Sequence, residues 1–113
     1  MDLLALARIH QAFCAAVDRE DVSSLVRINH AFHDTIWQAA RNRYLSLQLG
    51  DLRGQIEHLQ TTTLADPTRQ PETIVEHELI LKAISDGDSD GAELAAKTHF
   101  QKAMALRLVM SRL

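Results

Sequence analysis

Residues 21–40 read DVSSLVRINHAFHDTIWQAA, and this stretch decides the fold. Val22, Leu25, Phe32 and Ile36 recur at intervals of three, four and seven, the period of one helix face and not the alternation of a strand. Asp18 and Asp21 offer side-chain oxygens to cap the first turn, so the spacing predicts a helix from about Asp21 to Ala40. Asn29 and His33 stand within or beside the apolar face, four residues and therefore one turn apart. A helix that is apolar at both ends of its inner face and polar in the middle implies a core with chemistry in it.

The same period continues in both directions. Upstream, Asp2 to Val17 reads as a first helix, with Leu3, Leu6, Ala7, Ile9 or His10, and Phe13 inward. Downstream, Arg41-Asn42-Arg43 makes a turn into a third helix, Tyr44 to about Thr62, with Leu45, Leu49, Leu52, Ile56 and Leu59 as its stripe. Gly50 and Gly54 interrupt that helix and mark either a kink or a close crossing. Leu64 to Gln70, with Asp66-Pro67, is a loop. Pro71 suits the first turn of a fourth helix reaching Asp86. Gly87 stops it, and Asp88 or Ser89 caps a last helix from Asp90 to about Arg112. The expected fold is all-α, an antiparallel bundle of about five to seven helices with mostly short connections.

Composition narrows the function. The chain has 113 residues, 46% hydrophobic and 24% charged, enough for one domain with a real core. A formal charge of −3 with twelve scattered Lys and Arg residues gives no basic stripe for DNA. No apolar run is long enough to span a membrane. Cys14 is the one cysteine, so no internal disulfide forms, and a reducing, cytoplasmic setting is the natural expectation.

Six histidines are many for this length. His77 fills the gap in the fourth helix's stripe of Ile74, Leu81 and Ile84. His99 does the same in the last helix, among Ala92, Ala96, Ala103, Leu106 and Met110. Three helices thus each place a histidine at mid-length on an inward face. An unpartnered buried polar group costs about 1–3 kcal/mol, and one divalent cation would satisfy all three. The residues alone leave the alternative open, that each imidazole is separately satisfied in the core. His10, His30 and His58 lack this setting, and His30 is expected to face outward.

Other chemistries fit poorly. The zinc-protease signature needs two histidines four apart with a Glu beside the first, which Asn29 and His33 do not supply. Glu76 and Glu78 flank His77 and read as a solvated face. Cys14 lacks a nucleophile's local signature, there is no strand followed by a phosphate loop, and Phe13, Phe32, Trp37 and Phe100 are spaced for packing.

Asn29-His30-Ala31-Phe32-His33, then Ala39-Ala40-Arg41-Asn42 leading to Leu45, then Glu76-His77 with Ile80-Leu81 and Ala83-Ile84, then Gly87-Asp88, Ala92 and His99, follow one order. In that order they resemble the ligand-sensing C-terminal (FCD) domain of GntR-type transcription regulators of the FadR subfamily, from about Asp18 to Leu113. The resemblance implies six or seven helices and a metal held by Asn29, His33, His77 and His99, with Asn29 where the family often has Asp. It implies a small organic acid completing the coordination shell, a homodimer, and control of DNA through a winged helix-turn-helix domain absent from these residues. The chain is accordingly expected to be one effector-binding domain over residues 1–113, a bacterial regulator's fragment whose first helix is the remnant of a connecting helix.

The ligand set suits Zn, Ni, Mn or Fe, with zinc slightly preferred. Neutral ligands around a dication favour a carboxylate in the open positions. Arg53 is the first candidate to clamp that carboxylate, ahead of Arg69 and Arg27. No positioned acid or base points to an enzyme. The rival readings are a purely structural metal, a metalloenzyme, and a metal-free interaction module.

Overall fold

A computed structural model describes residues 3–39 and 63–110. These residues form four helices and no strand: α1 (Leu3–Asp18), α2 (Val22–Ala39), α3 (Arg69–Ser85) and α4 (Ser89–Met110). Five to seven helices are expected from the sequence. The expected third helix, Tyr44 to Thr62, lies outside the described residues, as do its glycines, Arg53 and His58. Among the described residues no helix is long and apolar enough to cross a membrane.

Two three-residue turns set the architecture, and both use the same device. After α3, Gly87 lies at φ +70°, its N–H donates to the Ile84 carbonyl, and the Asp88 N–H donates back to Ala83. This left-handed cap satisfies carbonyls that the helix end would strand. After α1 the pattern recurs with Glu20 at φ 56°, its N–H on Val17 and the Asp21 N–H on Ala16. The next residue in each turn starts the following helix. The Asp21 carboxylate accepts from the backbone N–H and hydroxyl of Ser24, at 3.2 and 2.6 Å, and Asp88 accepts from the N–H of Gly91 at 2.9 Å. Each turn therefore folds its two flanking helices together, and α1 packs on α2 as α3 packs on α4.

The two pairs join through α1 against α3. Among the described residues the core comprises two apolar clusters. Phe13, Ala16, Leu25 and Leu64 form one; Leu6, Phe32 and Ile80 form the other, backed by Ile9, Ile36, Leu81, Ile84 and by Ala95 and Ala96 of α4. Each cluster draws on α1, α2 and the segment after residue 62, as the helical stripes require.

The α3 stripe departs from the expected one. The helix begins at Arg69, two residues before Pro71. A proline in the first turn needs no hydrogen-bond partner for its nitrogen, so it does not fix the first residue. The fully buried positions are Arg69, Gln70, Thr73, Glu76, His77 and Ile80, while Ile74, Leu81 and Ile84 are only half-buried. Most of that buried face is polar, so hydropathy alone does not locate it. His77 apart, its polar groups find partners inside: Gln70 donates to the Leu64 carbonyl at 2.9 Å, and the Thr73 hydroxyl to the Arg69 carbonyl at 2.9 Å.

Candidate metal centre

His33 on α2, His77 on α3 and His99 on α4 are 4%, 0% and 2% exposed, and each offers a ring nitrogen within 4.8 Å of the other two. His33 Nε2 and His99 Nε2 are 3.2 Å apart. Two nitrogens each about 2.1 Å from one ion, on adjacent corners of its coordination shell, lie about 3.0–3.4 Å apart. The spacing thus fits a shared cation. The backbones of α2 and α4 do not pack together; ring contacts of His33 with His99 and Phe100, centroids 5.1 Å apart in both cases, bridge them.

His77 is the test of that fit. Among the described residues neither of its ring nitrogens has a hydrogen-bond partner, although the side chain is fully buried. A neutral imidazole carries one donor and one acceptor, and stranding both in a core is costly. Its ring stacks on Phe32 (centroids 4.2 Å, 14° between planes) and has Phe13 at 5.0 Å, so apolar walls fix its orientation. Asn29, one turn before His33, is 1% exposed, and its Oδ1 likewise lacks a partner among the described residues. One His77 nitrogen and Asn29 Oδ1 would thus have lone pairs to offer a metal.

The electrostatics suit a cation as well. Burial, and then the charges of neighbouring groups led by His99 for His33 and by His33 for His77, hold both imidazoles well below their usual range. They stay neutral at ordinary pH, so protons compete little with a metal.

Glu76 organises the third histidine. It is 4% exposed and accepts from His99 Nδ1 at 2.6 Å and from the two terminal guanidinium nitrogens of Arg69 at 2.6 and 2.7 Å. Arg69 also reaches the His99 carbonyl at 3.4 Å. Burial pushes the Glu76 carboxyl up, but the hydrogen bonds from His99 and Arg69 outweigh it and bring the value down to about 2. A carboxylate only accepts, so a proton sits on His99 Nδ1 and the ring turns its Nε2 towards His33. This is the carboxylate–histidine arrangement that orients metal ligands.

Several expectations change here. Glu76 is buried and paired, unlike the solvated side chain its position beside His77 suggests; Glu78 is the exposed one. Arg69 is locked on Glu76 and is not free to clamp an effector, and Arg27 is exposed on α2. His10, lacking an evident partner in sequence, is 7% exposed with its ring 5.7 Å from that of His77. His30 is half-buried. A sequence signal for the missed groups exists: Arg69, Thr73, Glu76 and Ile80 recur at intervals of four, three and four, one face of a helix. Asn29, His33, His77 and His99 are all buried, the three histidines meet, and Arg53 lies outside the described residues.

A family model described as the FCD domain matches residues 1–102. No curated protein matches the chain, and no solved structure does.

Proposed function

We infer the function from one premise: the chain belongs to the FCD domain family, the ligand-sensing C-terminal domain of GntR-family transcription regulators, a family of regulators and not of enzymes. On that premise it is a metal-dependent sensor of a small carboxylate, of the FadR type. Asn29, His33, His77 and His99 hold one divalent transition metal, zinc being slightly preferred over Ni, Mn or Fe. The observation that carries this reading is His77, fully buried, with neither ring nitrogen partnered among the described residues, beside two other inward histidines.

The bound ion would act as a Lewis acid towards an effector carboxylate. The chain's own part is to supply lone pairs and leave charge over. All four ligands are neutral, and the Glu76 charge is matched by Arg69. These residues would leave a bound dication its excess charge, to which an anionic effector would be drawn. Tying α2 to α4, whose backbones do not otherwise pack, gives effector binding a means to favour one helix arrangement. Such a switch needs different effector affinity in the two arrangements. In the full regulator, a homodimer, the change would pass to a winged helix-turn-helix domain and alter DNA binding.

Elemental analysis of the purified protein beside His77→Ala is the first test. About one equivalent of a transition metal, lost in the variant, is the expected outcome. Thermal-shift screening of small organic acids, with and without chelator, then separates sensor from structural metal. Carboxylate stabilisation that vanishes on chelation while the helices persist supports sensing. Collapse of the helices on chelation favours a structural ion. No metal uptake after supplementation would leave a metal-free interaction module.

A further inference from the structure

A second cluster of metal-ligating side chains stands outside the three-histidine core. His10 and Cys14, four apart on α1, meet Glu78 from α3, and one ligand atom of each lies within 4.8 Å of the others. Cys14 Sγ is 3.7 Å and Glu78 Oε1 is 3.3 Å from the same atom, His10 Nε2. As hydrogen bonds these contacts are poor. Nε2 serves a donor or an acceptor role, never both at once, and 3.3 Å is beyond the usual distance for a charge-assisted bond. His10 Nδ1 is buried with no partner among the described residues, so both of the ring's polar contacts fall on Nε2.

As ligands to one ion the same atoms fit. With about 2.3 Å to sulfur and about 2.1 Å to nitrogen or oxygen, tetrahedral angles put N and S about 3.6 Å apart and N and O about 3.4 Å apart. Both observed separations are within 0.1 Å or so of these values. His10 is buried, Cys14 half-buried and the Glu78 side chain 58% exposed, so the cluster opens to solvent on one side. Three protein ligands with an open fourth position describe a tetrahedral site with room for water or an external ligand.

We propose that His10, Cys14 and Glu78 form a second cation site, distinct from the three-histidine centre, for a thiophilic divalent ion such as zinc. Sulfur, imidazole and carboxylate together select such an ion over calcium or magnesium. Its occupancy clasps α1 to α3 where the two helix pairs meet.

Cobalt(II) is the probe, because a thiolate bound to cobalt gives a near-ultraviolet charge-transfer band and imidazole ligands do not. Cys14 is the one cysteine in the chain, so the band reports this site alone. Titration of the whole chain is expected to develop the band, and His77→Ala to retain it. Glu78→Gln, at an exposed position that leaves folding undisturbed, is expected to weaken cobalt binding at this site by tenfold or more. Zinc should displace the cobalt and slow alkylation of Cys14 at least tenfold in the parent protein. Absence of the band at saturating cobalt in folded protein overturns the site. A band that Glu78→Gln leaves unchanged, or one that appears only as protein concentration rises, overturns the three-ligand assignment within one chain.

Discussion

Glu76 and Glu78 stand one residue either side of His77, and α3 sends them to opposite environments. Glu76 turns into the core, where it is held by a guanidinium and an imidazole. Glu78 turns to the edge, where a single contact to His10 leaves it more than half exposed. Two positions along a helix amount to about 200° of rotation, so neighbours in sequence serve different sites. Near-identical chemistry in sequence thus has unlike energetic weight, because water screens one carboxylate and is excluded from the other.

The largest effect that could break this contrast is at the buried member. Glu76→Ala strands the Arg69 charge in the core and leaves His99 Nδ1 without its acceptor. Removing one partner of a buried pair costs about 3–5 kcal/mol, and urea unfolding should read a loss in that range. A cost below about 1 kcal/mol would mean that Arg69 finds water, and that the core is more open than its burial indicates.

Acid probes the imidazoles on the same buried side. Burial holds His33 and His77 well below 6.5 in the folded protein, whereas in the unfolded chain they return to about that value. Below pH 6.5 the unfolded state binds more protons. Stability of the metal-free protein is therefore full above about pH 6.5 and falls as pH drops towards the folded values. Each group contributes up to about 1.4 kcal/mol per pH unit. Denaturant unfolding in chelator at pH 7.5 and 5.5 measures this, and a flat profile would show that the pair accepts protons in the fold.

A smaller change sharpens the argument about His77. Replacing it by Leu removes two nitrogens without a partner among the described residues, so the metal-free protein should gain about 1–3 kcal/mol while metal uptake is lost. Gain in stability with loss of binding is what a site maintained for function predicts. A loss of stability in the variant would instead point to hydrogen bonds satisfying the ring.

The smallest effect belongs to the exposed glutamate. Without added cation, Glu78→Gln should change unfolding free energy by less than about 1 kcal/mol, the range of exposed ion pairs. A cost approaching that of Glu76→Ala would erase the contrast between the two sides of α3.

Much of this was legible in the sequence. The 3.6-residue period marks most residues of α1 and α2 that turn inward: Leu6, Phe13, Leu25 and Phe32 are buried, whereas Leu3, also expected inward, is 38% exposed at the helix start. Asp21 and Asp88 cap because a side-chain oxygen three residues ahead of a free N–H does so wherever the chain places it. Asn29, His33, His77 and His99 stand out as polar residues filling gaps in apolar stripes, and all four are buried.

Other features were decided only when helices met. The inner face of α3 is built largely of polar groups, and a polar stripe resembles a solvated one until its partners are in place. Arg69 is tolerable in the core because Glu76 lies two turns along the same helix and His99 arrives from another. His10 gains its surroundings from His77 and Glu78, more than sixty residues away in the chain. Local sequence sets periodicity and caps, since those depend on neighbours within one turn. Burial of charge depends on compensation across helices, and that is a property of the tertiary structure.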